Sequence, residues 1–112
     1  MKKVEAIIRT IKYEDVVEAL GEIGIRFFSY SEVKGHGMEK SDEIKYRGVV
    51  YDAGYLPRTK LSIVIKDADV ENVTRTIFKN AQTGKVGDGK IIVTNVEHFL
   101  RIRTGESSEE AL

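Results

Sequence analysis

The chain has 112 residues, enough for one domain with a single core. Eighteen basic residues balance eighteen acidic ones, so bulk charge predicts no attraction to nucleic acid or to anionic membranes. Cysteine is absent, which excludes disulfides and thiolate chemistry; two histidines, His36 and His98, are too few for a zinc site built on imidazoles; and no apolar run approaches the ~20 residues of a membrane span. The apolar part of the opening MKKVEAIIRT is too short for a signal peptide, so the expected compartment is the cytoplasm.

In residues 3–9, Val4, Ala6 and Ile8 alternate with Glu5, Ile7 and Arg9, which predicts a strand. Residues 13–23 place Val16, Leu20 and Ile23 on one helical face, with Gly24 able to supply a left-handed cap. Residues 25–33 are β-branched and aromatic, a second strand. From 35 to 55 no period is sustained; a loop of that length inside a compact domain is usually functional or disordered. Residues 60–66 alternate Leu61, Ile63 and Ile65 with Ser62 and Val64, a third strand. Residues 67–82 form a second helix, with Asp67 or Asp69 as N-cap, Glu71 in the first turn, a stripe of Val70, Val73, Ile77 and Ala81, and Gly84 at its end. Residues 90–96 make the fourth strand, and the acidic tail TGESSEEAL reads as mobile at its end.

The order β-α-β-loop-β-α-β is that of a split βαβ, ferredoxin-like α+β fold, with both helices on one face of a four-stranded antiparallel sheet. Register is left open, so the exposed face carries Glu5 or Ile7 and Ser62 or Ile63. No second helical layer remains to cover that face, which points to self-association.

Residues 84–90, GKVGDGK, formally fit G-x-x-x-x-G-K. A P-loop continues with Ser or Thr and runs from strand to helix; here Ile91 follows and the chain runs from helix to strand, so that reading fails twice. The glycines can still let backbone N–H groups converge on an anion, beside Lys85 and Lys90. The plainer reading is a tight turn at Asp88-Gly89. Arg101 and Arg103 share a face if RIRTGE is extended, and their guanidinium forks suit phosphate. The two pairs of cations meet on a polyphosphate if the C-terminal segment folds near the glycine loop; otherwise Arg101 and Arg103 are a solvated pair.

Taken together, EAIIR at 5–9, SEVKGHG at 31–37, YRGVVY at 46–51, TGKVGDGKI at 83–91 and RIRTGE at 101–106 resemble the PII nitrogen-regulatory signal proteins over essentially the whole chain. The resemblance implies a single domain over 1–112 that assembles as a homotrimer and is not an enzyme. It implies ATP or ADP, in competition, in the clefts between subunits. Residues 35–55 correspond to the T-loop that engages ammonium transporters, nitrogen-metabolism enzymes and regulators; residues 82–90 correspond to the phosphate-cradling B-loop. Gly84, Gly87, Asp88, Gly89 and Lys90 would line the phosphates, with Gly37 and Met38 beside them. Arg101 and Arg103 would reach across from the adjacent subunit in the segment 101–106. Ile7, Gly35, Val64 and Thr83 would lie near the adenosine. The effector 2-oxoglutarate would meet Arg9, Gly37, Glu39, Lys40, Arg58 and Gly87, with Mg from Mg-ATP near Glu39 and no metal site made by protein alone.

Several positions depart from the family pattern. Met38 and Glu39 stand where the family has Arg-Gln, and a carboxylate at 39 facing a dianion costs on the order of 4 kcal/mol at ~4 Å before metal compensation. Arg58 replaces a lysine and keeps a fork for a carboxylate, and Ser62 replaces a frequent acid. Tyr51 matches a tyrosine that some members uridylylate, while Val49 replaces the serine that some relatives phosphorylate. The plainer reading of Tyr51 is an exposed aromatic at a partner interface, and of His36 a surface or hydrogen-bonding residue rather than a metal ligand. Other functions for this architecture are a slow nucleotide hydrolase, which lacks a histidine near the glycine loop or any Ser-His-Asp set; an RNA-binding module, which lacks stacking aromatics and net positive charge; and a copper-tolerance-type trimer, which lacks ligands.

Overall fold

A computed structural model of the chain describes residues 1–35, 43–46, 49–52 and 57–112. Alternation decides the sheet. On β1 (Lys2–Arg9), Val4, Ala6 and Ile8 are buried while Glu5 and Ile7 are half-buried. On β5 (Arg58–Ile65), Thr59, Leu61, Ile63 and Ile65 are buried, and Ser62 and Val64 are half-buried. The buried rows meet Val16 and Leu20 of α1 (Tyr13–Glu22) and Val73, Ile77 and Ala81 of α2 (Val70–Ala81), which pack on each other. Each fully buried Leu or Ile in this cluster contributes about 1.5–3 kcal/mol.

β2 (Ser29–Val33) and β6 (Gly89–Asn95) complete a sheet of order β2-β5-β1-β6, antiparallel throughout. This is the ferredoxin-like α+β arrangement. The register settles what the alternation left open. Ile7 lies between Lys60 and Lys90, and Glu5 between Ser62 and Ile92, all on the face away from the helices. Ile92 is 42% exposed there.

Five local expectations change. The second strand begins at Ser29 rather than 25, because the Ile25 N–H closes the end of α1 on Leu20 O at 2.9 Å. Within 35–55, β3 (Glu43–Tyr46) pairs antiparallel with β4 (Val49–Asp52), so the segment carries a hairpin whose four-residue strands are too short to register as a period. Asp67 and Asp69 make no side-chain cap. A 3₁₀ turn, Asp67–Asp69, precedes α2, and Asp67 pairs with the N-terminal amine at 2.9 Å. The second helix ends at Ala81, with Gln82 already extended, so Gly84 belongs to the loop beyond. The tail is held: it ends in a 3₁₀ turn, Ser108–Ala111, with Ala111 buried.

Candidate functional site

The loop between α2 and β6 is built around one carboxylate. Asp88 accepts the Thr83 N–H and the Gly84 N–H on Oδ2, each at 2.8 Å, and the Thr83 hydroxyl on Oδ1. From the far end of β1, Arg9 Nε donates to Asp88 Oδ1 at 3.0 Å, and Arg9 Nη2 donates to the Val86 carbonyl at 2.7 Å. Burial pushes the Asp88 pKa up. The bonds from Thr83, Arg9 and Gly84 outweigh that and hold its carboxyl well below the usual carboxylate range. The glycines carry the shape: Gly84, Gly87 and Gly89 have φ of +83°, +99° and +102°. A Cβ on Gly89 would lie 1.7 Å from the Ile7 carbonyl oxygen, so the loop approaches β1 as closely as a bare backbone allows. The turn expected at Asp88-Gly89 falls instead at Val86-Gly87: Asp88 closes the loop from inside and Gly89 already opens β6.

Two cavities lie beside these elements. The first, about 290 Å³, is lined by Ile7, Ile8, Ile77, Phe78, Ala81, Gln82, Asp88, Gly89, Lys90 and Ile91, along the β6 edge. The second, about 590 Å³, is lined by Phe27, Phe28, Ser29, Ser62, Val64, Phe99, Arg101, Arg103, Ala111 and Leu112, along β2 and β5. They share no lining residue. The arginines therefore do not join the glycine loop within one chain. RIRTGE is not extended either. It turns back, with Gly105 N–H on Arg101 O and Arg101 N–H on Glu106 O, both at 2.8 Å, yet Arg101 and Arg103 still line one cavity. Arg101 is further oriented by the Ala111 carbonyl at 2.9 Å.

Of the residues singled out in the sequence, Ile7, Asp88, Gly89 and Lys90 gather at the first cavity and Val64, Arg101 and Arg103 at the second. Thr83, Gly84 and Gly87 belong to the loop beside the first. Gly35 is exposed two residues beyond β2. Arg9 and Arg58 face each other across the β1–β5 ladder, 7% and 8% exposed. Tyr51 lies on β4, opposite Ile44. His36, Gly37, Met38, Glu39 and Lys40 lie outside the described residues. Among the described residues, no cluster of three His, Asp or Glu side chains could hold a metal ion, and no helix is long and apolar enough to cross a membrane. Arg9 as the brace of the glycine loop is the role that sequence reasoning missed. Its partner stands 79 positions away, and no local pattern links them.

The family model described as "Nitrogen regulatory protein P-II" matches residues 1–106. The nitrogen regulatory protein P-II of Pasteurella multocida is 46% identical over 112 residues, and P-II 1 of Escherichia coli K12 is 47% identical over 112 residues, each covering all of both chains. The crystal structure of Arabidopsis thaliana PII bound to citrate superposes with a TM-score of 0.80 at 40% identity, covering 99% of this chain and 91% of that one. Sheet order, glycine loop and full-length likeness agree, and the chain belongs to the nitrogen regulatory protein P-II family.

Proposed function

We propose that this P-II protein is a non-catalytic cytoplasmic sensor that binds ATP and ADP in competition, as a homotrimer, and reports the result to nitrogen-metabolism targets through residues 35–55. The observation that carries the reading is the glycine loop, held open by Asp88 and Arg9 with Lys90 at its end. A loop fixed before the ligand arrives loses little entropy on binding.

The residues fit a nucleotide in complementary halves. Gly84, Gly87 and Gly89 shape the loop around the phosphates, Lys85 and Lys90 offer charge, and Ile7 supplies an apolar wall. Val64 on the other cavity offers a second wall, and Arg101 and Arg103 offer guanidinium forks. Because the halves lie on different edges of one sheet, two copies are needed to complete the site. Phe27, 91% exposed, and Ile102, 97% exposed, flank the second cavity and favour a neighbouring subunit there. The apolar residues of the open sheet face, such as Ile92, support the same assembly.

As effector we favour 2-oxoglutarate, a dianion. Arg58, at the start of β5, is the cation we assign to it, with Gly87 of the loop and with Gly37, Glu39 and Lys40 as further contacts; Arg9, opposite Arg58 on the ladder, already donates to Asp88 and Val86 and would act from behind. The Arabidopsis relative is described as bound to citrate, another small polycarboxylate. Mg would be held by the phosphates of ATP, with Glu39 as the side chain we assign to it, and would neutralise charge there. Ammonium transporters, enzymes or regulators are the targets, and Tyr51 stands at that contact.

Calorimetry and light scattering test the reading. The expected result is a trimer with one ATP-competitive ADP site per subunit, heat from 2-oxoglutarate, and negligible phosphate release. A lone subunit indifferent to both nucleotides, or vigorous ATP turnover, overturns it.

A further inference from the structure

We propose that Arg9 is the positioning residue that carries the state of the glycine loop to the start of β5, and that Asp88 is its hold on that loop rather than a ligand for phosphate. The inference rests on the nucleotide-sensor reading and deepens it.

Arg9 ends β1 and holds the loop at two points, the Asp88 carboxylate and the Val86 carbonyl. Asp88 in turn gathers the backbone of Thr83 and Gly84, so most of the loop hangs from one guanidinium. Behind that side chain, the backbone is tied to the stretch where the chain returns from the β3–β4 hairpin. Arg9 pairs with Arg58 across the ladder. Thr10 N–H donates to the Pro57 carbonyl at 3.3 Å, and the Thr10 and Thr59 hydroxyls are 2.9 Å apart. Residues 57–59 are therefore fastened to residues 9–10, which hold residues 83–88.

Every link is a directional bond, and Arg9 is shielded from water, so a shift at one end is transmitted rather than absorbed. The carboxylate supplies the input. A polyphosphate on the loop brings like charge toward Asp88, which cannot take up a proton near neutral pH and must move or pull on Arg9. The fork explains the residue type. Its two acceptors lie in different directions, and Nε and Nη2 meet both at once, whereas a lysine ammonium meets one.

The test uses full-length protein and amide hydrogen exchange over residues 57–62, with and without saturating ATP. In the parent, ATP changes exchange there by about fivefold or more. Arg9→Lys and Asp88→Asn should each reduce that change to within about twofold at saturation. Lys90→Met should weaken ATP by roughly tenfold yet keep the parent's change once saturated. The inference is overturned if both Arg9→Lys and Asp88→Asn respond like the parent, if Lys90→Met loses the response as well, or if the parent binds ATP with no change at 57–62. A parent that binds no ATP sinks the sensor reading and this inference together, and calorimetry on the parent separates that outcome from the rest. Using two variants keeps the test decisive should one fail to fold.

Discussion

Two connections in this molecule leave a helix, use glycine at positive φ and feed a strand of the same sheet. After α1 the turn is local. Gly24, at φ +87°, donates to the Gly21 carbonyl at 3.0 Å, and Ile25 donates to Leu20 at 2.9 Å. This is a Schellman closure made by the helix's own last turn. After α2 the chain uses three left-handed glycines and closes them with Asp88, which is held by an arginine 79 positions away. A connection needs only the first arrangement. The second makes the loop's shape depend on a strand from the other half of the chain, which suits a surface that must be ready for a ligand.

Gly89→Ala should separate the two most sharply. Its Cβ would fall 1.7 Å from the Ile7 carbonyl oxygen while the backbone stays left-handed, so β6 must move off β1 where Gly89 pairs with Ile8. A loss of about 3 kcal/mol or more in urea unfolding is expected. A loss as small as that of an ordinary turn glycine would mean the loop is soft and the contrast is false.

Arg9→Met comes next, at about 2–3 kcal/mol, because it removes the charged donor of Asp88, which keeps its bonds from Thr83 and Gly84, and leaves the Val86 carbonyl without this partner. Asp88→Asn keeps the volume but turns one accepting oxygen into an NH2 that faces donors, and should cost about 2 kcal/mol near neutral pH. Its pH dependence is more telling than its size. The folded-state pKa of Asp88 is depressed, so its stabilisation is fully present above the unfolded value, about 3.9, and fades as pH falls through the folded value. The gap between parent and Asp88→Asn should be constant from pH 5 upward and narrow below ~4. A gap that widens in acid would show that Asp88 is not the ionised keystone.

The local turn was readable in the sequence and the long-range one was not, and the same divide runs through the whole chain. Val4, Ala6 and Ile8, and Val73, Ile77 and Ala81, announce their faces because burial repeats with the period of the element. Gly24 announces a cap because the rule for helix ends is local. Asp67 looks like a cap by the same rule, but the N-terminal amine, brought alongside by β1, takes it instead. β2 starts four residues later than the apolar run suggests because Ile25 closes the helix rather than joining a strand. The glycine loop was legible as composition, and RIRTGE as charge. That Arg101 and Arg103 lie beside Val64 rather than beside Lys90 follows from sheet order, which no short motif encodes.

The smallest effects test the comparison most finely. Gly24 and Gly84 have nearly the same φ, +87° and +83°, and a Cβ on either meets nothing within 4 Å. Their alanine variants should each lose about 1 kcal/mol, since backbone strain is the shared cost and no clash is added. In stability the two turns should thus look alike, although one is local and the other is held at a distance. They should differ in ligand response. Gly84 supplies an N–H to the Asp88 carboxylate inside the proposed phosphate cradle, whereas Gly24 lines neither half of the proposed site. Gly84→Ala should weaken ATP by about five- to tenfold, because strain at this position shifts the loop that forms the cradle, and Gly24→Ala should leave it unchanged. Equal affinities in the two variants would mean that the second turn, for all its long-range bracing, is a connection like the first.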